Sequence, residues 1–236
     1  MNARGLLSEI AGSMAHLLLP QLCAACRIPL LHREKLLCMG CTLELPHTGF
    51  HNIDDNEAAL RLAGRIPFQH ATAFAYFTPE GLLQHLLHLL KYKGRQEVGT
   101  FLGMQAGYAL QGVPWIRSID AIVPIPLHPK KKAARGYNQT ALIAQGLGDV
   151  LSIPVSADAM IRTKHTASQT RMSREERVQN VAGAFSLSGN ANLSGRHVLL
   201  IDDVLTTGAT LEAAFATLSA VPEIRLSLMT IGLAMM

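Results

Sequence analysis

Residues 198–210 read VLLIDDVLTTGAT, and this stretch decides the fold expected of the chain. Its first four residues are apolar, which is typical of a strand buried on both faces, as in a parallel sheet. Two acidic residues, Asp202 and Asp203, follow directly. Buried carboxylates are costly unless a partner or a ligand uses them. We therefore expect a binding site at the carboxyl end of this strand.

The loop that follows the two acids is rich in small and hydroxyl-bearing residues and opens a helix. Backbone N–H groups in such a loop, together with the helix N-terminus, suit a phosphate monoester. Carboxylates would repel phosphate, but they accept hydrogen bonds from vicinal sugar hydroxyls. The stretch therefore predicts a site for a ribose 5′-phosphate, and it lacks the Gly-Lys pair of an ATP-binding loop. The candidate binding residues are Asp202, Asp203, Thr206, Thr207, Gly208, Ala209 and Thr210.

The chain from residue 71 onward alternates predicted strands with predicted helices. Strands are expected at ATAFAYF (71–77), DAIVPIP (120–126), IPVSADAMIR (153–162), the opening stretch and IRLSLMTIGL (224–233). Helices are expected at LLQHLLHLLKYKG (82–94) with Gly94 as the stop, then at 98–110, 139–151 with Asn138 as the cap, and 208–220. This alternation predicts an α/β fold, a parallel sheet with helices on both faces.

Two basic segments adjoin the predicted site. The first, LHPKKKAARGYNQ, is expected to be a loop and carries Lys130, Lys131, Lys132 and Arg135. The second, residues 162–180, has no clear periodicity and carries Arg162, Lys164, Arg171, Arg174 and Arg177. A solvated surface is the ordinary explanation of such runs. Two basic loops beside a predicted sugar-phosphate site instead favour an anionic ligand.

All four cysteines lie in one short segment near the N-terminus. Cys23 and Cys26 form one C-x-x-C pair, and Cys38 and Cys41 form another. This spacing is typical of a tetrahedral, structural zinc site. Two disulfides or four inert thiols are the alternatives. Because no export signal precedes them, we expect a reducing compartment, the cytoplasm, where disulfides do not persist.

Composition limits the remaining possibilities. The 236 residues are 49% hydrophobic with a formal net charge of +4, so a real core is expected and a polycationic surface is not. The apolar face of residues 1–20 is expected to pack on the protein itself, and no run is long enough to span a membrane. We predict three parts: an N-terminal helix with a zinc ribbon (1–48), a linker or short helix (49–70), and the α/β domain (71–236).

The opening stretch resembles the binding motif for 5-phosphoribosyl 1-pyrophosphate (PRPP) of type I phosphoribosyltransferases. With the segments VPIPLHPKKKAARGYNQ and TASQTRMSREERVQNVAGAF and the four-cysteine ribbon, the chain is similar to the ComF family of competence-associated, phosphoribosyltransferase-like proteins. The resemblance covers the chain from about Leu19 to its end, and residues 49–70 carry no matching motif.

The resemblance implies a role for each segment. Asp202 and Asp203 would hold the ribose hydroxyls, and Thr206–Thr210 would hold the 5′-phosphate. The segment from Leu127 to Arg135 would face the pyrophosphate, which Mg²⁺ would bridge. Residues 162–180 would form a hood that closes over the ligand.

Three functions remain open from the sequence. The protein could transfer phosphoribosyl to an acceptor, or bind PRPP and single-stranded DNA in the DNA-uptake machinery without catalysis, or serve as a zinc-ribbon interaction module that senses a metabolite. Aromatic residues are only 5% of the chain, and few lie near the basic loops beyond Tyr92 and Tyr137. The sequence indicates neither the acceptor nor the oligomeric state.

Overall fold

The computed structural model describes residues 20–163, 183–188 and 192–235. Spatial proximity divides the chain into two units, Met1–Leu45 and Pro46–Met236. The division lies close to the boundary predicted at residue 48. Each unit is described by itself.

The described residues of the first unit, 20–45, form a small cysteine-containing fold with one short helix, α1 (Met39–Leu43). The helix predicted within residues 1–20 falls almost wholly outside the described residues. An antiparallel bridge joins Leu22 to Pro29 ahead of it. Buried leucines and an alanine surround the cysteines: Ala24, Leu30, Leu36, Leu37 and Leu45. So few apolar side chains make a small core, which is why a unit of this size needs a further cross-link.

The described part of the second unit contains six strands. They are β1 (Ala71–Phe77), β2 (Ala121–Pro124), β3 (Met160–Arg162), β4 (Phe185–Leu187), β5 (His197–Leu205) and β6 (Arg225–Ala234). Four of them form a sheet in the order β1-β6-β5-β2, and every neighbouring pair is parallel. The other two, β3 and β4, form a separate antiparallel ribbon. The parallel sheet predicted from the alternation is confirmed.

Among the described residues, six helices accompany the strands. They are α2 (Glu57–Leu62), α3 (Leu82–Tyr92), α4 (Glu97–Leu110), α5 (Pro129–Arg135), α6 (Gln139–Leu151) and α7 (Ala209–Leu218). Short 3-10 turns lie at Phe50–Asn52 and Pro114–Ser118. The predicted helix stop at Gly94 is confirmed by its left-handed φ of 71°, and the predicted cap is confirmed because Asn138 accepts a hydrogen bond from Thr140 N.

Helices cover both faces of the sheet, as β5 makes clear. Val198, Leu199, Leu200 and Ile201 are each 0% exposed. Val198 and Leu200 belong to the cluster that includes α2 and α7. Successive residues of a strand point to opposite faces, so Leu199 and Ile201 face the other layer, where α6 packs on β2 and β5. The opening strand is therefore buried on both faces, as predicted.

Helices α4 and α6 approach each other closely because glycines line their contact. A Cβ added at Gly103 would lie 2.0 Å from Ile143 O, and one added at Gly146 would lie 2.2 Å from Thr100 O. Only glycine allows the two backbones to pack at this distance. This contact fixes α6, whose N-terminal residues lie beside the acidic pair.

The structure overturns two sequence predictions and decides between the two alternatives of a third. Residues 129–135 form a helix and not a loop, because Pro129 sits at its first position, His128 caps it, and Gly136 ends it in the left-handed conformation. Residues 153–162 do not form one strand. Val155 makes a single parallel bridge to Ile122, and a turn then precedes β3.

The third concerns residues 49–70, for which a linker or a short helix was expected. The structure shows a short helix, α2, which begins with Asn56 as its cap. Its Ala58, Ala59 and Leu62 are buried in the core of the second unit. The segment is therefore a packed part of that unit.

Candidate functional site

The two acidic residues of the opening stretch lie at the carboxyl end of β5 and have different partners. Asp203 is 9% exposed. Its Oδ2 lies 2.7 Å from Lys91 Nζ and accepts a hydrogen bond of 3.0 Å from Gln139 Nε2. Asp202 is half-buried, and its Oδ1 accepts a hydrogen bond from Asp203 N. The cost of burying Asp203 is thus offset by a cation from α3 and an amide from α6.

These surroundings shift the two carboxyl pKa values in opposite directions. Burial, and then the charge of Asp203, raise the pKa of Asp202 to about 7. Burial alone would also raise the pKa of Asp203, but the charge and hydrogen bond of Lys91 outweigh it, so that pKa is lowered. The pKa of Lys91 is raised, since Asp203 outweighs the effect of burial on the ammonium group. A pair of carboxylates with such separated pKa values is typical of a functional site.

The loop after the acids forms a concave surface at the start of α7. A pocket here is lined by Asp202 and residues 204–211. Gly208 has a φ of 84°, and a Cβ at this position would lie 2.7 Å from Leu62 Cδ2. Glycine is therefore required by both conformation and space. The N-terminal end of α7, with its partial positive charge, opens onto this loop.

An arginine from the segment beside α2 holds the loop in place. Arg65 Nη1 donates a hydrogen bond of 2.7 Å to Thr207 O, and its Nη2 pairs with Glu212 in the first turn of α7. The Arg65 side chain thus links the loop to α7, the helix that begins where the loop ends.

Four cationic side chains converge beside the acids. Burial, followed by the charges of Arg162, Arg135 and Lys91, lowers the pKa of Lys131. Arg162, the last residue of β3, is close enough to Asp202 for the two charges to interact. Four cations therefore face two carboxyl groups, and this excess of positive charge favours a ligand with several negative charges.

The structure brings most of the predicted residues together. Asp202, Asp203 and the loop residues Thr206, Thr207, Gly208, Ala209 and Thr210 lie at one edge of the sheet. Lys131 and Arg135 face the same region, whereas Lys130 and Lys132 lie exposed on α5. Lys164, Arg171, Arg174 and Arg177, with the predicted hood around them, lie outside the described residues.

Three residues of the site were not identified from the sequence. Lys91 and Gln139 lie inside predicted helices and Arg65 lies in a segment without a motif, and none of the three was predicted to belong to the site. Their partners lie far away along the chain, so no local pattern indicates them. The one available clue is that Gln139 follows a helix cap at the end of a strand, where α/β folds place their ligands.

The four cysteines of the first unit form a cluster that can bind a metal ion. Their sulfur atoms all lie within 4.8 Å of one another, and Cys26 Sγ lies 3.7 Å from Cys38 Sγ. A tetrahedral site with Zn–S bonds of about 2.3 Å has sulfur atoms about 3.8 Å apart. Burial raises the pKa of Cys23, but backbone N–H groups, that of Cys38 first, outweigh it and lower the pKa to about 6. Burial instead raises the pKa of Cys41. The fit to zinc rests on the set of four thiols and on the spacing of their sulfur atoms.

The described residues contain neither a second metal-binding cluster nor a helix that could span a membrane. Within residues 20–163, 183–188 and 192–235, no second group of three or more metal-binding side chains lies together. Across the same described ranges, every helix is too short or too polar to cross a lipid bilayer.

Comparison with known proteins assigns a class to this fold and site. Residues 138–223 match the sequence family described as the phosphoribosyl transferase domain. This range runs from the cap of α6 through the acidic pair to the end of α7 and the turn after it. The fold and the match define a domain of the type I phosphoribosyltransferase class.

Relatives then narrow the class. The DNA utilization protein YhgH of Escherichia coli strain K12 is 30% identical over 212 residues, which cover 82% of this chain and 88% of that protein. Competence protein F of Haemophilus influenzae is 44% identical over 93 residues, 39% of this chain and 41% of that one. The chain belongs to the ComF family of phosphoribosyltransferase-like proteins.

A solved structure, adenine phosphoribosyltransferase from Saccharomyces cerevisiae, aligns with a TM-score of 0.34 and 16% identity. The alignment covers 61% of this chain and 73% of that one. At this level the likeness adds nothing to the assignment.

Proposed function

We propose that the protein binds PRPP at the carboxyl end of β5. The observation that carries this proposal is the adjacency of two carboxyl groups and a glycine-containing loop at a helix N-terminus. Asp202 and Asp203 accept hydrogen bonds from the ribose hydroxyls, and Thr206–Thr210 surround the 5′-phosphate. Gly208 lets the backbone approach that phosphate closely.

The pyrophosphate end of the ligand is assigned to the cationic side of the site. A cavity of about 320 Å³ lies there, lined among others by Leu127, Asp158 and Arg162. Arg162, together with Lys131 and Arg135, supplies the positive charge that a pyrophosphate needs. Magnesium, which keeps several waters and prefers oxygen ligands, would bridge the pyrophosphate oxygens and neutralise their charge.

Binding adds contacts at Asp203 to those that this carboxylate already makes. Lys91 and Gln139 satisfy this carboxylate without ligand. Because a carboxylate has room for about four hydrogen bonds, ribose hydroxyls can be added without displacing Lys91. The raised pKa of Asp202 falls when hydroxyl donors and magnesium arrive, since both stabilise the charged form.

Within this class, a transfer reaction breaks the bond between ribose C1 and pyrophosphate and forms one between C1 and an acceptor nitrogen. The cations here would stabilise the negative charge on the departing pyrophosphate, and the acids would orient the ribose. Fold alone does not establish that transfer occurs.

The experiment is incubation with PRPP and Mg²⁺, with pyrophosphate release followed in the presence and absence of bases, amines and single-stranded DNA. Release that depends on an acceptor supports a transferase. Calorimetric binding of PRPP without release under any condition supports the non-catalytic alternative. Absence of PRPP binding overturns both.

A second candidate function is handling of single-stranded DNA, and the names of the relatives favour it. One is a DNA utilization protein and another a competence protein. Single strands bind to grooves that combine cations with stacking side chains, and the cationic side of this site supplies the first. Binding of a labelled single strand that weakens steeply with salt supports this function over a purely metabolite-sensing module.

We propose further that the four cysteines hold one structural zinc ion. A site closed by four thiolates needs a reducing compartment, which favours the predicted cytoplasmic location. Protein purified without chelators should contain one zinc per chain. Cys38→Ser should release it and increase hydrogen exchange in residues 1–48, while the second unit stays folded. Metal analysis that finds no zinc in the wild type contradicts the proposal.

A further inference from the structure

Tyr92, the last residue of α3, is an exposed aromatic side chain beside the site. Its exposed fraction is 69%. The guanidinium group of Arg135 lies over its ring, with Cζ 5.8 Å from the ring centroid. The His88 ring lies 5.1 Å away and is tilted by 44°. Single exposed aromatic residues are common on protein surfaces, but a guanidinium held over such a ring makes a flat, cationic, aromatic surface.

Two connections tie this surface to the buried carboxylate. Lys91, adjacent to Tyr92 in the chain, pairs with Asp203 at 2.7 Å. Arg135 donates a hydrogen bond to Gln139 Oε1, and Gln139 Nε2 donates to Asp203 Oδ2 at 3.0 Å. Lys91, the chain neighbour of Tyr92, and Arg135, through Gln139, are thus both connected to the carboxylate proposed to bind the ribose.

We propose that Tyr92 and Arg135 form a stacking platform for a nucleobase beside the sugar-phosphate site. This proposal rests on the proposed function, because the platform lies beside the site assigned there to the sugar phosphate. The ligand chemistry is a purine or pyrimidine ring that carries phosphate, either in a nucleotide or in a single strand. Every base has a flat π face, which stacks on tyrosine, and guanidinium groups stack on and attract the same face.

The charges near the platform suit the phosphate of such a ligand. Lys93 follows Tyr92 at the end of α3 and is exposed, as are Lys130, Lys131 and Lys132 on α5. Cations beside a stacking surface are the arrangement that single-strand-binding grooves use. Tyr92 is one of the two aromatic residues that the sequence places near the basic loops.

The test measures binding of a fluorescein-labelled oligothymidylate by anisotropy. Tyr92→Ala should weaken binding about tenfold, because stacking on one aromatic ring contributes that much. Tyr92→Phe, which keeps the ring, should stay within about threefold of the wild type. Tyr108→Ala is the matched control: Tyr108 is 51% exposed and lies on α4, and this variant should bind as the wild type does.

Salt separates stacking from charge. Raising the salt concentration should weaken both the wild type and Tyr92→Ala, but the ratio between them should persist, since stacking is not screened. Arg135→Lys keeps the charge and loses the planar group, so it should lose part of the affinity even at low salt.

A parallel measurement with thymidine monophosphate distinguishes the source of the base. If the mononucleotide shows the same dependence on Tyr92, the platform serves a free nucleotide, and if only the oligonucleotide does, it serves a strand. Equal affinity of Tyr92→Ala and the wild type for both probes overturns the platform, as does failure of the wild type to bind either. PRPP calorimetry runs alongside: loss of PRPP binding with a retained Tyr92 effect rejects the proposed function and leaves the platform.

Discussion

The two edges of the sheet both bring polar side chains together, and they satisfy them in different ways. At the amino edge, His197 at the start of β5 is 2% exposed. Its Nδ1 lies 3.0 Å from Ser118 Oγ and its Nε2 lies 2.8 Å from Ser227 Oγ. Ser118 donates its own proton to Trp115 O, so Nδ1 carries the imidazole proton and Nε2 accepts from Ser227. The side chains of His197, Ser118 and Ser227 thus satisfy one another, and the Asp120 carboxylate accepts a hydrogen bond of 2.7 Å from His197 N.

At the carboxyl edge the polar groups are ionised, and their charges do not balance. Lys91, Lys131, Arg135 and Arg162 face Asp202 and Asp203, and pKa values are shifted in both directions. A closed neutral network stabilises a fold, whereas an unbalanced charged one is left for a ligand to complete. Strand β5 contributes residues to both edges. The difference between the edges therefore follows from the side chains placed there and not from the order of the strands.

The largest effect is expected from removing both acids at the carboxyl edge. Asp202→Asn combined with Asp203→Asn keeps side-chain size but loses charge-assisted hydrogen bonds of about 1.5–3 kcal/mol each. PRPP affinity measured by calorimetry should fall at least about tenfold, since about 1.4 kcal/mol is one decade. Circular dichroism should show a folded protein. Unchanged PRPP affinity would mean that the acids do not hold the ribose.

The next effect is on stability. Lys91→Met leaves the buried Asp203 carboxylate without its cation. Breaking a buried pair costs about 3–5 kcal/mol, and since Lys91 is partly exposed we expect a loss of about 2 kcal/mol in the free energy of unfolding. Adding Asp203→Asn to Lys91→Met should restore most of it, because no unpaired charge then remains. Urea unfolding of the two single variants and the double variant forms the cycle, and additive losses would argue against direct pairing.

The elements that depend on a few neighbouring residues could be predicted from the sequence. The apolar run of Val198–Ile201 predicts a strand buried on both faces, and the acids at its end predict a site, because hydrophobic pattern and desolvation cost act within a few residues. The helix of residues 129–135 was missed although Pro129 and Gly136 mark its two ends. Its run of lysines is equally typical of a solvated loop, which makes the two helix-end signals easy to overlook.

The remainder depends on contacts that the chain order does not reveal. Asp203 meets Lys91 from α3, and Thr207 meets Arg65 from beside α2, only because the sheet order brings these elements together. The requirement for glycine at Gly103 and Gly146 likewise arises from the close contact of each with the backbone of the other helix. Local patterns predicted where the site lies, but they could not predict which side chains complete it.

A smaller effect on stability is expected at the amino edge, with a distinctive pH dependence. Burial, then the charges of Arg225 and His70, lower the pKa of His197. The native state therefore resists protonation, so this group's contribution is present above the unfolded pKa of about 6.5 and is lost as pH falls below it. His197→Gln should cost about 1 kcal/mol at neutral pH and reduce the acid-side loss. PRPP affinity should not change.

Asp202 should show the opposite pH dependence of stability in the same unfolding measurements. Its pKa of about 7 is raised, so the native state binds more protons than the unfolded chain between about pH 4 and pH 7, and stability falls as pH rises through this window. Asp202→Asn should remove that fall. Urea unfolding of both variants across pH should show slopes changed in opposite senses, and the same change in both would contradict the difference between the edges.

The smallest effect is expected from the arginine that supports the phosphate loop. Arg65 touches Thr207 O and Glu212 and lies outside the residues proposed to contact the ligand, so it is a positioning residue. Arg65→Ala should weaken binding of ribose 5-phosphate about threefold to tenfold, because one charge-assisted hydrogen bond that orders the loop is lost. Binding of inorganic pyrophosphate at the other end of the site should stay the same. Arg65→Lys, which keeps the charge but cannot bridge both partners as a planar fork, should fall between Arg65→Ala and the wild type. Equal losses for ribose 5-phosphate and pyrophosphate would indicate general destabilisation of the second unit, and the specific role of Arg65 in shaping the loop would then be rejected.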